Sequence, residues 1–179
     1  FLLLFANFVR VITMGTSPTM YVISHIVVLM IYLGILVWWG ISVYDRIVNK
    51  VIRRHLIVLV VLMILWMLMR TLRHTVFLYV YPLGMWCWYA YYISMILIPQ
   101  LCFFATKHVA KPEGYKMPRI WYLMYIPSIL MIVGILTNDI HGWAFNFHKG
   151  YEAGWHTYQH GLLYYIVTLW IFACIALMI

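Results

Sequence analysis

Acidic side chains are what this sequence most lacks: four Asp and Glu stand against twelve Lys and Arg, and charged residues of either sign make up only 9% of 179. A chain with so few charges cannot clothe a soluble domain, which excludes the ordinary water-facing globule. Cysteine is scarce too. Cys87, Cys102 and Cys174 have no CxxC or Cys/His spacing, which excludes a disulfide frame or a cysteine metal centre and leaves them as small apolar fillers. No internal repeat, no catalytic motif and no cofactor pattern is found. The net charge of +8 would suggest nucleic acid in a soluble domain. Here eight of the twelve basic residues lie in two short loops between apolar runs, so contact with nucleic acid is excluded and the lipid bilayer becomes the expected partner.

What is present is apolar. Hydrophobic residues reach 66%, aromatics 18%, and the mean hydropathy is +0.94, the composition of an integral membrane protein whose helices expose apolar side chains to lipid. The expected fold class is all-α, a polytopic membrane bundle forming one transmembrane domain over residues 1–179. Uncharged runs place helices at about 1–14, 20–43, 55–77, 85–106, 120–136 and 157–179, about six of a probable seven. Both ends fall inside apolar runs, FLLLFANFV and YYIVTLWIFACIALMI, so both are expected to be cut, with any output domain outside the fragment. Pro99 and Pro127 are expected to kink the helices that contain them.

Loop charge sets orientation. Arg46, Lys50, Arg53 and Arg54 lie in loop 44–55, and Lys107, Lys111, Lys116 and Arg119 in loop 107–119; these loops are expected to be cytoplasmic, and loop 137–157 extracytoplasmic. At about 1.5 Å of rise per residue, one outer slab then holds His25, Arg70, Arg73, Trp86, Tyr89, Tyr92, Asn138, Asp139, His141, His160 and Tyr164. A charge inside hydrocarbon needs a partner or a wet cavity, so a bridge between Arg70 and Asp139 is expected. Two readings fit this slab: a clamp of polar caps within an interfacial aromatic belt, or an outward pocket for a small-molecule or peptide ligand. The arginines would favour an anionic one. His156 and His160, four apart in HTYQH, share a helical face if the last helix starts early enough, which with Asp139 makes them metal candidates. Outer histidines could equally sense pH or be plain surface groups.

Several segments in order carry a resemblance: the basic loop followed by R-T-L-R, then WYAYYISMILIPQLCFFA, KPEGYKMP, YIPSILMIVGILTNDIH and GLLYY. Together, over about residues 21–179, they resemble the N-terminal seven-transmembrane sensor region of bacterial, Clostridia-like sensor histidine kinases, with LTNDIH the strongest piece. That resemblance implies an extracellular-facing sensor that signals to a cytoplasmic output domain, a histidine kinase or another effector, with a homodimer suited to such signalling. No catalytic residue carries over. A small-molecule transporter or a metal-binding membrane protein is the competing expectation; a transporter would want ionisable groups near the bilayer midplane, where this chain offers little beyond Pro99 and Gln100.

Overall fold

The computed structural model describes residues 18–77, 80–109, 111, 115, 117–147 and 158–178. The predicted run 1–14 lies outside them, as do His148, Glu152 and His156.

The uncharged runs become helices: α1 (Pro18–Arg46), α2 (Lys50–Thr75) and α3 (Tyr81–His108). A 3₁₀ stretch, Arg119–Met124, leads into α4 (Tyr125–Leu136). The single turn α5 (Asn138–His141) follows, then α6 (Leu162–Ala176). Four of these segments are long and apolar enough to cross a membrane, counting the 3₁₀ stretch with α4. At 15 residues α6 is apolar but shorter. The protein is thus an all-α membrane bundle, in which a two-residue strand pair is the only sheet among the described residues.

Local chemistry sets the boundaries. Asn49 caps α2, its side-chain oxygen accepting from the backbone N–H groups of Val51 and Ile52 at 3.0 and 3.3 Å, which satisfies two donors that no helical carbonyl can reach. Pro82 stands at the start of α3, where a missing N–H costs nothing. Pro127, expected to kink a long helix, instead sits in the first turn of α4. The preceding turns wind as 3₁₀, which avoids the clash between the proline ring and the carbonyl four residues back. Pro99 lies within α3, which runs on through it.

Helix α3 is the centre: 61% of its most apolar stretch is buried, against 17% for α1. Helices α2, α4 and α6 pack on it, and α1 leans on α2. Trp88, Tyr89, Tyr92 and Ile96 of α3 form the main core with Met131 and Ile135 of α4, Phe145, and Val167 of α6. The lipid-facing sides carry exposed apolar residues such as Met30, Trp38, Leu169 and Phe172, normal where hydrocarbon is the solvent. Deep in the bundle the Ser128 hydroxyl donates to the Gln100 amide oxygen at 2.6 Å, joining α4 to α3 next to Pro99.

Candidate functional site

The polar residues beyond α4 build a fastening for the connection to α6. Asn138, 2% exposed, takes the backbone N–H groups of Ala144 and Phe145 on its side-chain oxygen at 2.8 and 3.0 Å. Its amide nitrogen donates to the Phe145 carbonyl at 2.9 Å and to the Tyr89 hydroxyl at 3.2 Å. One buried amide therefore satisfies backbone six and seven residues onward, and binds the loop to α3. The Tyr89 hydroxyl in turn donates to Asp139 Oδ1 at 2.7 Å.

Two glycines permit this path. Gly142 ends α5 in the left-handed region at φ 64, where a side chain would clash with its own backbone. At Gly161 a Cβ would run into the Trp143 carbonyl. The backbone then pairs Phe145 with His160 and Asn146 with Gln159 as β1 (Phe145–Asn146) and β2 (Gln159–His160). His141 stays within the loop. Its Nδ1 accepts from the Trp143 N–H at 3.0 Å, and Thr137, whose hydroxyl donates to Val133, lies 3.2 Å from its Nε2.

An aromatic cap covers the N-terminal half of α3. Trp88 meets Tyr158 edge-on at 4.7 Å and Phe145 at 5.7 Å. The Arg73 guanidinium lies 3.5 Å from the Trp88 ring centroid, a cation–π contact worth about 2 kcal/mol when desolvated. Burial pushes the Tyr158 phenol above its ordinary range, with Tyr164 adding to the rise and Arg73 opposing it. Tyr92 packs against Phe145 and Tyr91. Exposed Trp86 stands edge-on to Tyr89. His160 lies against Tyr164 with ring centroids 3.9 Å apart.

The expected slab is thereby divided. His25 and Arg70 belong to a separate cavity of about 380 Å³ between α1 and α2. Its α1 wall is Ser24, His25, Val28, Tyr32, Ile35 and Leu36, and its α2 wall is Met63, Trp66, Met67, Arg70 and Thr71. Both walls repeat every three or four residues, the stripe a helix presents to one side. The Arg70 guanidinium lies 5.9 Å from the Trp66 ring. On the α1 wall, His25 Nδ1 donates to the Tyr21 carbonyl at 3.0 Å, and the His25 and His74 rings lie 5.5 Å apart. The lining residues missed from the sequence were Ser24 and Thr71 with the apolar stripe below them; a polar pair interrupting two apolar runs was the available signal.

Two expectations are corrected. Asp139 receives Tyr89, not Arg70; α2 and α4 each pack on α3 and little on one another, so equal depth does not bring these charges together. His160 stands on β2, before α6 begins at Leu162, which removes the helical face it was expected to share with His156. Among the described residues no three His, Cys, Asp or Glu side chains gather as a metal set.

The family model described as the N-terminal 7TM region of histidine kinase matches residues 22–179. No curated protein and no solved structure matches the chain.

Proposed function

The chain belongs to the family of N-terminal seven-transmembrane regions of histidine kinases, and from that membership we propose that it detects an extracytoplasmic ligand in the cavity between α1 and α2. The coarser statement follows from the family: this is a membrane sensor region that serves a cytoplasmic output domain. The finer one rests chiefly on Arg70. A guanidinium on the wall of an otherwise mostly apolar cavity of about 380 Å³ has the make-up of a small-ligand site, an apolar enclosure with a few orienting polar groups.

In this reading residues 1–179 act as one sensing unit, with the helix ends and connections over 44–55 and 107–119 cytoplasmic and the segment 137–157 outside, because eight of the twelve basic residues lie in the first two segments. Arg70 and His25 hold the ligand. Arg73, Trp86, Tyr89, Tyr92, Asn138, Asp139, His141, His160 and Tyr164 form the cap that keeps α3, α4 and α6 in one register while α1 responds. Helix α1 suits the moving part, since α2 is the helix it leans on. A ligand that prefers one α1 position by about 1.4 kcal/mol changes the ratio of states tenfold. Homodimerisation through the lipid-facing surfaces would carry that change to the output domain.

The test is the cytoplasmic output of the full-length protein, exposed to growth-medium and envelope extracts, with wild type compared with Arg70→Ala. The variant should insert normally and lose the response. An unchanged response in a well-inserted variant removes Arg70 from the site.

A further inference from the structure

At the start of α2 and the end of α3, away from the aromatic cap, the rings of His55 and His108 lie with their centroids 5.6 Å apart. We propose that these two imidazoles are the protein half of a binding site for a divalent transition metal of the zinc, nickel and copper class. The site goes beyond the sensing role argued above and does not depend on it, since it stands at the other end of α2 from Arg70. Backbone chemistry prepares both rings. His55 Nδ1 donates to the Val51 carbonyl at 2.8 Å, and His108 Nδ1 donates to the Phe104 carbonyl at 2.8 Å. A carbonyl only accepts, so the proton of each neutral ring stands on Nδ1 and the lone pair on Nε2. Metal-bound histidines are fixed in this way, the second ring nitrogen donating to a carbonyl or carboxylate so that the first points its lone pair at the ion.

Separation and surroundings suit an ion. Two imidazoles bound through Nε2 to one tetrahedral metal at about 2.0–2.1 Å have ring centres about 5 Å apart, close to the observed spacing. The rings come from the two helices that pack most extensively on one another, so the pair is held together before an ion arrives. His108 is buried and His55 half-buried, which gives the pair a firm side and an approach. Three nearby cations are drawn onto other rings: Arg53 lies 5.1 Å from the Tyr44 ring, Lys107 5.3 Å from Phe103 and Lys111 5.6 Å from Tyr115. Donor type selects the ion. Imidazole nitrogen suits zinc, nickel and copper, whereas magnesium and calcium want oxygen ligands. Two ring nitrogens make an open site, with the remaining positions for water or a small anion, unlike the closed four-ligand sites of structural zinc. A bound ion ties the start of α2 to the end of α3.

The full chain, without a polyhistidine tag, is solubilised in a mild detergent, stripped with a chelator and titrated with Zn²⁺, Ni²⁺, Cu²⁺ or Mg²⁺ while its thermal unfolding is followed. Zn²⁺ should raise the melting temperature saturably, and Mg²⁺ should leave it unchanged. The apparent zinc affinity should fall at least about tenfold in His55→Ala and equally in His108→Ala, with no further loss in the double variant. His55→Cys, which keeps a metal-ligating side chain, should retain zinc. If buried His108 cannot be replaced without unfolding, half-buried His55 carries the test through its alanine and cysteine variants. A wild-type protein whose stability ignores Zn²⁺, Ni²⁺ and Cu²⁺ overturns the proposal, as does equal stabilisation by Mg²⁺, or zinc affinity unchanged in His55→Ala. Binding is read here with neither stimulus nor output, so its failure leaves the sensing role of Arg70 standing, and an output response that survives Arg70→Ala leaves this site standing.

Discussion

Tyr89 and Asp139, 50 positions apart, meet through a 2.7 Å hydrogen bond from the phenol to the carboxylate. The same phenol takes a bond from Asn138 at 3.2 Å, so one fully buried ring on the central helix holds two consecutive polar residues at the end of α4. The carboxylate at this end of the membrane is stabilised by a neutral donor. The guanidinium of Arg70 lies elsewhere, on the wall of the cavity between α1 and α2 and 5.9 Å from the Trp66 ring centroid.

Asn138→Ala should be the most damaging single change in the loop. It strands the buried N–H groups of Ala144 and Phe145 and the Phe145 carbonyl, each costing about 1 kcal/mol or more when unpaired. A loss of about 3 kcal/mol is expected, read as a fall in melting temperature of the detergent-solubilised protein. Asn138→Asp keeps the acceptor but turns a carboxylate toward the Phe145 carbonyl, and should be nearly as damaging.

Tyr89→Phe removes one hydroxyl and keeps the ring packing. Because Asp139 is exposed to solvent, water replaces part of the lost bond, and the expected cost is about 1 kcal/mol. A thermal shift as large as that of Asn138→Ala would mean that the phenol, not the amide, organises the loop.

Gly161→Ala should fail in a different way. The Trp143 carbonyl occupies the space a Cβ needs, so the strand pair must open. Protease cleavage between residues 142 and 161 should rise relative to wild type, while the helices stay protected.

Arg73→Gln should destabilise the cap by about 2 kcal/mol, since the guanidinium lies over Trp88 in a buried setting. Tryptophan emission should shift to the red as water reaches the ring. Arg73→Lys should recover part of the loss, a lysine having charge but no plane to stack.

The all-α membrane character and the four long apolar segments among the described residues were legible because a membrane span is announced by length and lack of charge alone, with no appeal to packing. The residues of the fastening were legible too, but not their work. Asn138 stood out as a polar group closing an apolar run, yet its partners lie six and seven residues onward in a loop whose course depends on Gly142 and Gly161. Arg70 and Asp139 were matched by depth, which hydropathy supplies. Rotation about the helix axis, which hydropathy does not supply, sends one toward α1 and the other toward α3. The start of α6 was set too early because GLLYY extends an apolar run, whereas the strand pairing of His160 with Phe145 holds the backbone extended up to Gly161.

The central claim is that the space between α1 and α2 is where the stimulus acts, and cavity filling tests it most directly. Stimulus-dependent output of the full-length protein should be compared between wild type and Met63→Trp at equal membrane levels. The account predicts a midpoint raised at least tenfold, or an output fixed in one state, with the bundle still thermally stable. A stable Met63→Trp protein with the wild-type response curve would contradict it.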